Sequence, residues 1–321
     1  MENFAELAID PAKECATIEQ ALRDLVRDRL RRRGIVVGVS GGVDSAVVAA
    51  LAARALGPTR VLALLMPERA SSPESRTLGT AVANALAIQA IVEDITPILE
   101  AAGCYRRQLE AIREVVPEHG DDWGFKLSLP SLLFGDRLNV FRLIVAPPGG
   151  EQRSVRLPAS AYLKLVAATN FKQRVRKMIE YYHADRLGYA VAGTPNRLEY
   201  DQGFFVKHGD GAADVKPIAH LYKSQVYAIA EYLGVPDEVL ARPPTTDTFP
   251  MPQTQEEFFF ALPYAAMDLC IYGHDRDIAA AQIAGRLGLT AGQVERVYRD
   301  IEAKRRATRY LHEPPLLVAE G

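Results

Sequence analysis

Cysteine is scarce: Cys15, Cys104 and Cys270 are the three in a chain of 321 residues. They lie far apart and form neither a C-x-x-C pair nor a metal-ligand spacing, which speaks against a disulfide scaffold or a cysteine-held metal. Reduced thiols, buried or idle, in a cytosolic protein are the expectation. Long apolar runs are also missing. None approaches the roughly 18 residues of a membrane span, and Glu2, Glu6 and Asp10 precede any apolar stretch. Neither a signal peptide nor a membrane anchor is expected. Basic charge is not in excess either: a net charge of −2 argues against nucleic acid as the main partner, since a phosphate-tracking surface leaves a basic imbalance, although a local patch stays open. Repeats and low-complexity tracts are absent. The remainder, 48% hydrophobic and 24% charged residues, is ordinary for a globular chain and ample for one large core or two domains.

One stretch organises the rest. Gly38, Val39, Ser40, Gly41, Gly42, Val43, Asp44 and Ser45 stand between the apolar run Ile35 to Val39 and the alanine-rich run Ala46 to Leu56. A β-branched run, a glycine pair and a helix-forming run read as strand, tight turn and helix. Such a turn aims backbone N–H groups and the positive end of a helix dipole at one point, which suits a phosphate. Gly41 and Gly42 let the backbone approach the anion where a Cβ would intrude. Ser40 and Ser45 can donate hydrogen bonds, and Asp44 can hold a cation that bridges phosphate oxygens. The P-loop G-x-x-x-x-G-K-[ST] does not fit, because its lysine is missing.

The flanks follow a βαβ pattern. Residues 11–33 read as an amphipathic helix ending in Arg27, Arg29, Arg31, Arg32 and Arg33, which fit cations at a helix C-terminus. Arg60 to Met66 and Ala90 to Ile95 read as strands around a helix over Glu74 to Ala87. This alternation predicts a parallel, doubly wound, Rossmann-like α/β sheet with ligands at the carboxyl ends of its strands. The loop Met66 to Ser72 leaves such an end, either as the border of a nucleotide-base pocket or as a plain crossover. From Val116 to Pro158 the pattern breaks. Turn residues (Pro117, Gly120, Pro130, Gly135, Pro147) and the β-looking run Val140 to Val145 predict an inserted hairpin. A long helix over Ala159 to Leu187, a buried strand over Tyr189 to Gly193 and a helical region to about Tyr310 complete the reading. The domains expected are an N-terminal helix (1–33), a nucleotide-binding domain (34–250) carrying the insertion, and a helical C-terminal region (251–321) of the same domain.

Ser40-Gly41-Gly42-Val43-Asp44-Ser45 resembles the signature of the PP-loop ATP pyrophosphatases, which split ATP between its α and β phosphates. Further motifs narrow this. Gly193-Thr194-Pro195-Asn196-Arg197-Leu198-Glu199, the run Gly203 to Asp214 and the run Pro217 to Gln225 resemble the core of the NAD synthetases. Asn170 to Met178 is similar to that family's N-x-x-A-R-x-R-M, and Pro244-Thr245-Thr246-Asp247 to its P-[TS]-A-D. The resemblance covers roughly residues 34–100 and 160–250. It implies an ATP-dependent amide ligase that adenylates the nicotinate carboxylate of deamido-NAD⁺ and lets ammonia displace AMP. By the same resemblance Asp44 and Glu199 are Mg²⁺ ligands, residues 38–45 hold pyrophosphate, and Lys223 and Thr245 reach the ATP phosphates. Asp44 and Lys223 would act at the reacting phosphate, and Thr194 would lie near the nucleotide. Arg174, Lys207 and Asp214 would contact deamido-NAD⁺. Plainer uses stand beside these: solvated helix charges for Arg174, a helix flank for Lys223, a surface carboxylate for Glu199, and turn formation for Asp210 and Asp214.

The acceptor half departs from the family pattern. The insertion precedes Arg174, Gln253 to Phe260 replaces an acidic glycine-containing stretch, and the family's C-terminal His-Lys-Arg contact has no clear counterpart among Lys304, Arg305, Arg306 and His312. Phe258 to Phe260 read as an apolar helix face or as the wall of a reshaped acceptor pocket. No glutaminase segment is evident, so free ammonia or a separate glutaminase chain is expected to supply nitrogen. The family also implies a homodimer. A retargeted amide ligase and a silent nucleotide-binding subunit remain as other readings; Ser40, Asp44, Ser45, Glu199 and Lys223 argue against silence.

Overall fold

The computed structural model describes residues 4–129, 141–245, 248–260 and 262–318, with Glu256 and Glu257 described in their backbone alone. Pro130, Gly135 and Val140 of the insertion, Thr246 and Asp247 of the last motif, and residues 319–321 lie outside the described residues. In chain order, α1 (Pro11–Arg23) runs through a π-helical turn (Asp24–Arg29) into β1 (Ile35–Gly38), α2 (Val43–Leu56), β2 (Val61–Leu65), α3 (Pro73–Ala85) and β3 (Gln89–Val92). Then come α4 (Thr96–Ala101), α5 (Cys104–Arg113), β4 (Gly124–Ser128), β5 (Arg142–Ala146), β6 (Arg153–Arg156), α6 (Ala159–Leu187), β7 (Ala190–Ala192) and α7 (Arg197–Asp201). The chain continues with α8 (Lys223–Tyr232), α9 (Asp237–Ala241), α10 (Tyr264–His274), α11 (Ala280–Leu287) and α12 (Ala291–His312).

The main sheet has the order β3-β2-β1-β7, all parallel. Its two faces divide the strand residues by the period-2 rule of a pleated strand. Ile35 and Val37, with Val61, Ala63 and Leu65, join α1, α2 and α8 in one core. Val36, Leu62 and Leu64 point the other way, to Ile95, Leu99, Cys104 and Val175. Burial on both faces explains why β1 and β2 read as continuous apolar runs rather than alternating ones. Each aliphatic side chain so buried contributes about 1.5–3 kcal/mol. The order reverses at β1, whose neighbours are β2 on one side and β7 on the other, so the crevice above the β1 and β7 ends is the topological switch point.

The insertion holds more than the expected hairpin: β4, β5 and β6 form a three-stranded antiparallel sheet. Its inward residues Phe125, Leu127, Leu143 and Val145 pack on Ile112 of α5 and Leu165 of α6. The free edge of β4 grips the segment after Thr245. Met251 donates its N–H to the Phe125 carbonyl at 3.4 Å, Gln253 Nε2 donates to the Leu127 carbonyl, and the Phe249 ring meets Phe125 edge-on at 5.7 Å. Phe258, Phe259 and Phe260 all make aromatic or core contacts, as an apolar helix face would. Phe258 packs on Phe249 and Phe141, Phe259 stacks on Phe204 at 4.7 Å, and Phe260 is buried in the core of the C-terminal helices.

Candidate active site

β1 ends at Gly38 and α2 begins at Val43, so the four residues between them form the turn. Gly41 has φ +78°, and a Cβ there would lie 2.7 Å from the Ser75 carbonyl. Only glycine meets both demands. Ser45 Oγ donates to the Gly42 carbonyl at 3.0 Å and accepts the Ser40 N–H at 3.2 Å, and the two serine hydroxyls are 3.3 Å apart. The turn is therefore preshaped, with the open N-terminus of α2 behind it and no side chain capping that helix.

Three charged groups meet beside it. Asp44, in the first turn of α2, accepts from Asn196 Nδ2 at 3.0 Å and from Lys223 Nζ. Asn196 caps α7 in a reciprocal box: Glu199 N–H donates to Asn196 Oδ1, and Asn196 N–H to Glu199 Oε2, both at 3.1 Å. This local capping box fixes Glu199 just beyond the β7 end. Burial, and after it the neighbouring Asp44 charge, push the Glu199 carboxyl up to about 8 against the pull of Lys223. Burial lowers the Lys223 ammonium, but the Asp44 and Glu199 carboxylates outweigh that and hold it above its ordinary value. A buried and a half-buried carboxylate beside one ammonium leave an excess of negative charge once both ionise. A hard cation would relieve it. Among the described residues no group of three or more His, Cys, Asp or Glu could hold a metal, so phosphate oxygens and water would complete the shell of an ion held here.

Other predicted residues take different places. Thr194 is half-buried just beyond the end of β7, on the same edge of the sheet. Thr245 bridges to Thr254, which closes the 245–254 segment on itself. Arg174, Lys207 and the end of α12 are neighbours: Arg174 Nε donates to the Lys207 carbonyl at 3.3 Å, and Lys207 Nζ donates to the carbonyls of Tyr310 and Glu313 at 2.6 and 3.0 Å. The end of the C-terminal helix therefore lies against Lys207, which in turn touches Arg174. Asp214 is drawn instead to the sheet, where its Oδ2 accepts the Val191 N–H at 2.8 Å. Asp210 closes its turn by accepting the Val206 N–H at 2.7 Å.

The loop after β2 is fastened from below. Lys172 Nζ of α6 donates to Glu68 Oε1 and to the Thr248 carbonyl, both at 2.7 Å, and Tyr105 donates to Glu68 Oε2 at 2.8 Å. Burial alone would raise the Glu68 carboxyl, yet the Lys172 charge and hydrogen bond bring it below its ordinary value. One buried pair thus joins the β2 loop to the segment after Thr245. Sequence reasoning missed this pair, and it missed Asp268 of α10, which accepts the Ser224 N–H at 3.0 Å. A lone carboxylate in the apolar run of α10 was the available signal. The role of Asn196 was also legible, since Asn196-x-x-Glu199 has the spacing of a capping box.

A parallel sheet with a glycine-rich turn at its switch point, two carboxylates and a lysine at the strand ends defines a nucleotide-binding α/β protein of the PP-loop type. Residues 14–115 and 152–310 match the NAD synthase family, and the chain belongs to it; the family is one of ATP-dependent ligases. The gap in that match coincides closely with the insertion. The NH(3)-dependent NAD(+) synthetase of Mesorhizobium japonicum is 61% identical over 314 residues, 98% of each chain, which leaves no room for loss of the insertion. The NH(3)-dependent NAD(+) synthetase of Thermotoga maritima is 36% identical over 254 residues, 78% of this chain and 84% of that one. Among solved structures, the NH3-dependent NAD synthetase of Campylobacter jejuni aligns with a TM-score of 0.63 at 20% identity, over 97% of this chain and all of the other. The NMN synthetase of Francisella tularensis aligns with a TM-score of 0.64 at 23% identity, over 97% of this chain and 99% of that one. At such identities the likeness is one of fold.

Proposed function

We propose that this protein is an ammonia-dependent NAD⁺ synthetase. The observation that carries the reading is the meeting of Asp44, Glu199 and Lys223 beside the Gly38 to Ser45 turn, in a chain so close throughout its length to proteins of that name. A carboxylate oxygen of deamido-NAD⁺ attacks the α-phosphorus of ATP, the bond to the bridging oxygen breaks, and pyrophosphate leaves with the electron pair. Ammonia then attacks the acyl carbon, the C–O bond to AMP breaks, and the nitrogen sheds a proton. The protein's share is placement and charge. The turn's backbone N–H groups, the Ser40 and Ser45 hydroxyls and the Lys223 ammonium hold the leaving phosphates, while Thr194 and Thr245 flank the nucleotide. Mg²⁺, held by Asp44 and Glu199, would neutralise charge on the pyrophosphate. Arg174, Lys207 and Asp214 would orient the acceptor.

The active unit proposed is a homodimer, supplied with free ammonia or by a separate glutaminase. Met178 and Tyr182 on α6 are exposed at 53% and 60% beside Arg174, a surface suited to a second copy near the acceptor residues. Incubation with ATP, Mg²⁺, ammonium and deamido-NAD⁺, followed by mass spectrometry of AMP, pyrophosphate and NAD⁺, tests the reading. Stoichiometric NAD⁺ is expected. Folded, ATP-binding protein that forms none would overturn the acceptor and point to another carboxylate.

A further inference from the structure

Arg242 follows α9 and stands two residues before Pro244. Its half-buried guanidinium lies across the glycine-rich turn, donating from Nη1 to the Ser40 carbonyl at 3.4 Å and from Nη2 to the Ser75 hydroxyl at 2.9 Å. Ser75 is the floor of that turn, since it is the carbonyl of Ser75 that leaves no room for a Cβ at Gly41. Both acceptors are neutral. Among the described residues no carboxylate is paired with Arg242, whereas Arg197, Arg286 and Arg305 are paired with Asp275, Glu6 and Asp201. A guanidinium carries five N–H donors in a planar fork that matches an oxyanion in two-point contact. Fixed at an anion-binding turn and neutralised by no carboxylate there, it attracts a phosphate.

We propose that Arg242 binds the β and γ phosphates of ATP and then the departing pyrophosphate. The inference rests on the reading of the Gly38 to Ser45 turn as the pyrophosphate cradle. As the bond at the α-phosphorus breaks, its electron pair moves onto the pyrophosphate, so a cation at this end of the turn gains most in the transition state. The residue has no local signature, because a single arginine before two prolines reads as a loop charge.

Calorimetric titration of wild type, R242A and R242K with pyrophosphate and with AMP, each with Mg²⁺, tests it. R242A is expected to weaken pyrophosphate about tenfold and to raise the KM for ATP, with AMP affinity and the acceptor's KM unmoved. R242K should recover part of the loss, since lysine restores the charge without the fork. Equal weakening of pyrophosphate and AMP would reduce Arg242 to a brace of the turn. Unchanged pyrophosphate affinity would remove it from the site altogether. Thermal melting separates misfolding from lost contact, and if R242A folds poorly the comparison of R242K with wild type decides. Wild type that binds no pyrophosphate overturns the cradle together with Arg242; wild type that binds it as tightly as R242A does overturns Arg242 alone.

Discussion

Lys223 opens α8 and Asp44 lies in the first turn of α2, and their side chains form a largely buried ion pair across the carboxyl edge of the sheet. The aspartate suits its helix, since a negative charge is favoured at the positive end of the dipole. The lysine does not suit its own. Its place is made tolerable by Asp44 and by Asp268, whose carboxylate accepts the N–H and hydroxyl of Ser224 at the same helix start. Local rules broken at one point and compensated from elsewhere in the fold mark functional sites.

Glu199→Gln tests the proposed metal role. The amide oxygen keeps the hydrogen bond to the Asn196 N–H and so the cap of α7, while the charge is lost. Pyrophosphate release should fall by about a thousandfold, and the melting temperature should hold or rise. Turnover near that of wild type would remove Glu199 from the cation site. Asp44→Ala should also sharply reduce release, at a stability cost below that of an unpaired buried charge, because Glu199 remains beside Lys223.

Lys207→Ala should raise the KM for deamido-NAD⁺ more than that for ATP if the ammonium touches the acceptor. The same change frees the Tyr310 and Glu313 carbonyls, so steady-state kinetics should be paired with a melting curve. An effect confined to ATP would overturn the assignment.

Asp268→Asn should alter the pH dependence of stability. Burial lifts the Asp268 carboxyl to about 6 from an ordinary 3.8, against the hydrogen bonds of Ser224 and Lys223 that favour its charge. A raised folded value means that its contribution is fully present below 3.8 and is lost as pH rises through about 6. Melting temperatures over that window should show the variant gaining on wild type as pH rises. Parallel curves would place the titration elsewhere.

Phe249→Ala tests the insertion as a brace. Removing the ring that joins β4 to the segment after Thr245 should cost about 3–5 kcal/mol. It should also raise the KM for ATP and expose residues 248–255 to protease. Unchanged protease resistance and ATP kinetics would separate the insertion from the nucleotide site.

The main sheet was legible because its signals are local: apolar runs, the glycine pair and alternating helices lie within a few residues of one another. The insertion was legible as a break in that pattern, but its third strand was not, since Arg153 to Arg156 is mostly exposed and polar and shows no apolar alternation. The same holds for the buried Lys172 and Glu68 pair, whose members carry no mark of burial in the sequence. Their partners stand 104 residues apart.

What the sequence determined by itself is therefore the main sheet with its helices, the glycine-rich turn and the family, because strand period, turn chemistry and motif spacing are written over short distances. The resemblance implied that Asp44, Glu199 and Lys223 meet; only the tertiary structure decided that Arg242 lies across the glycine-rich turn, that the end of α12 fastens Lys207, and that the insertion grips the segment after Thr245. Asp44 and Lys223 are separated by 179 residues. Whether such charges meet, and with what pKa, depends on strand order and on the burial that packing imposes, which no local pattern encodes.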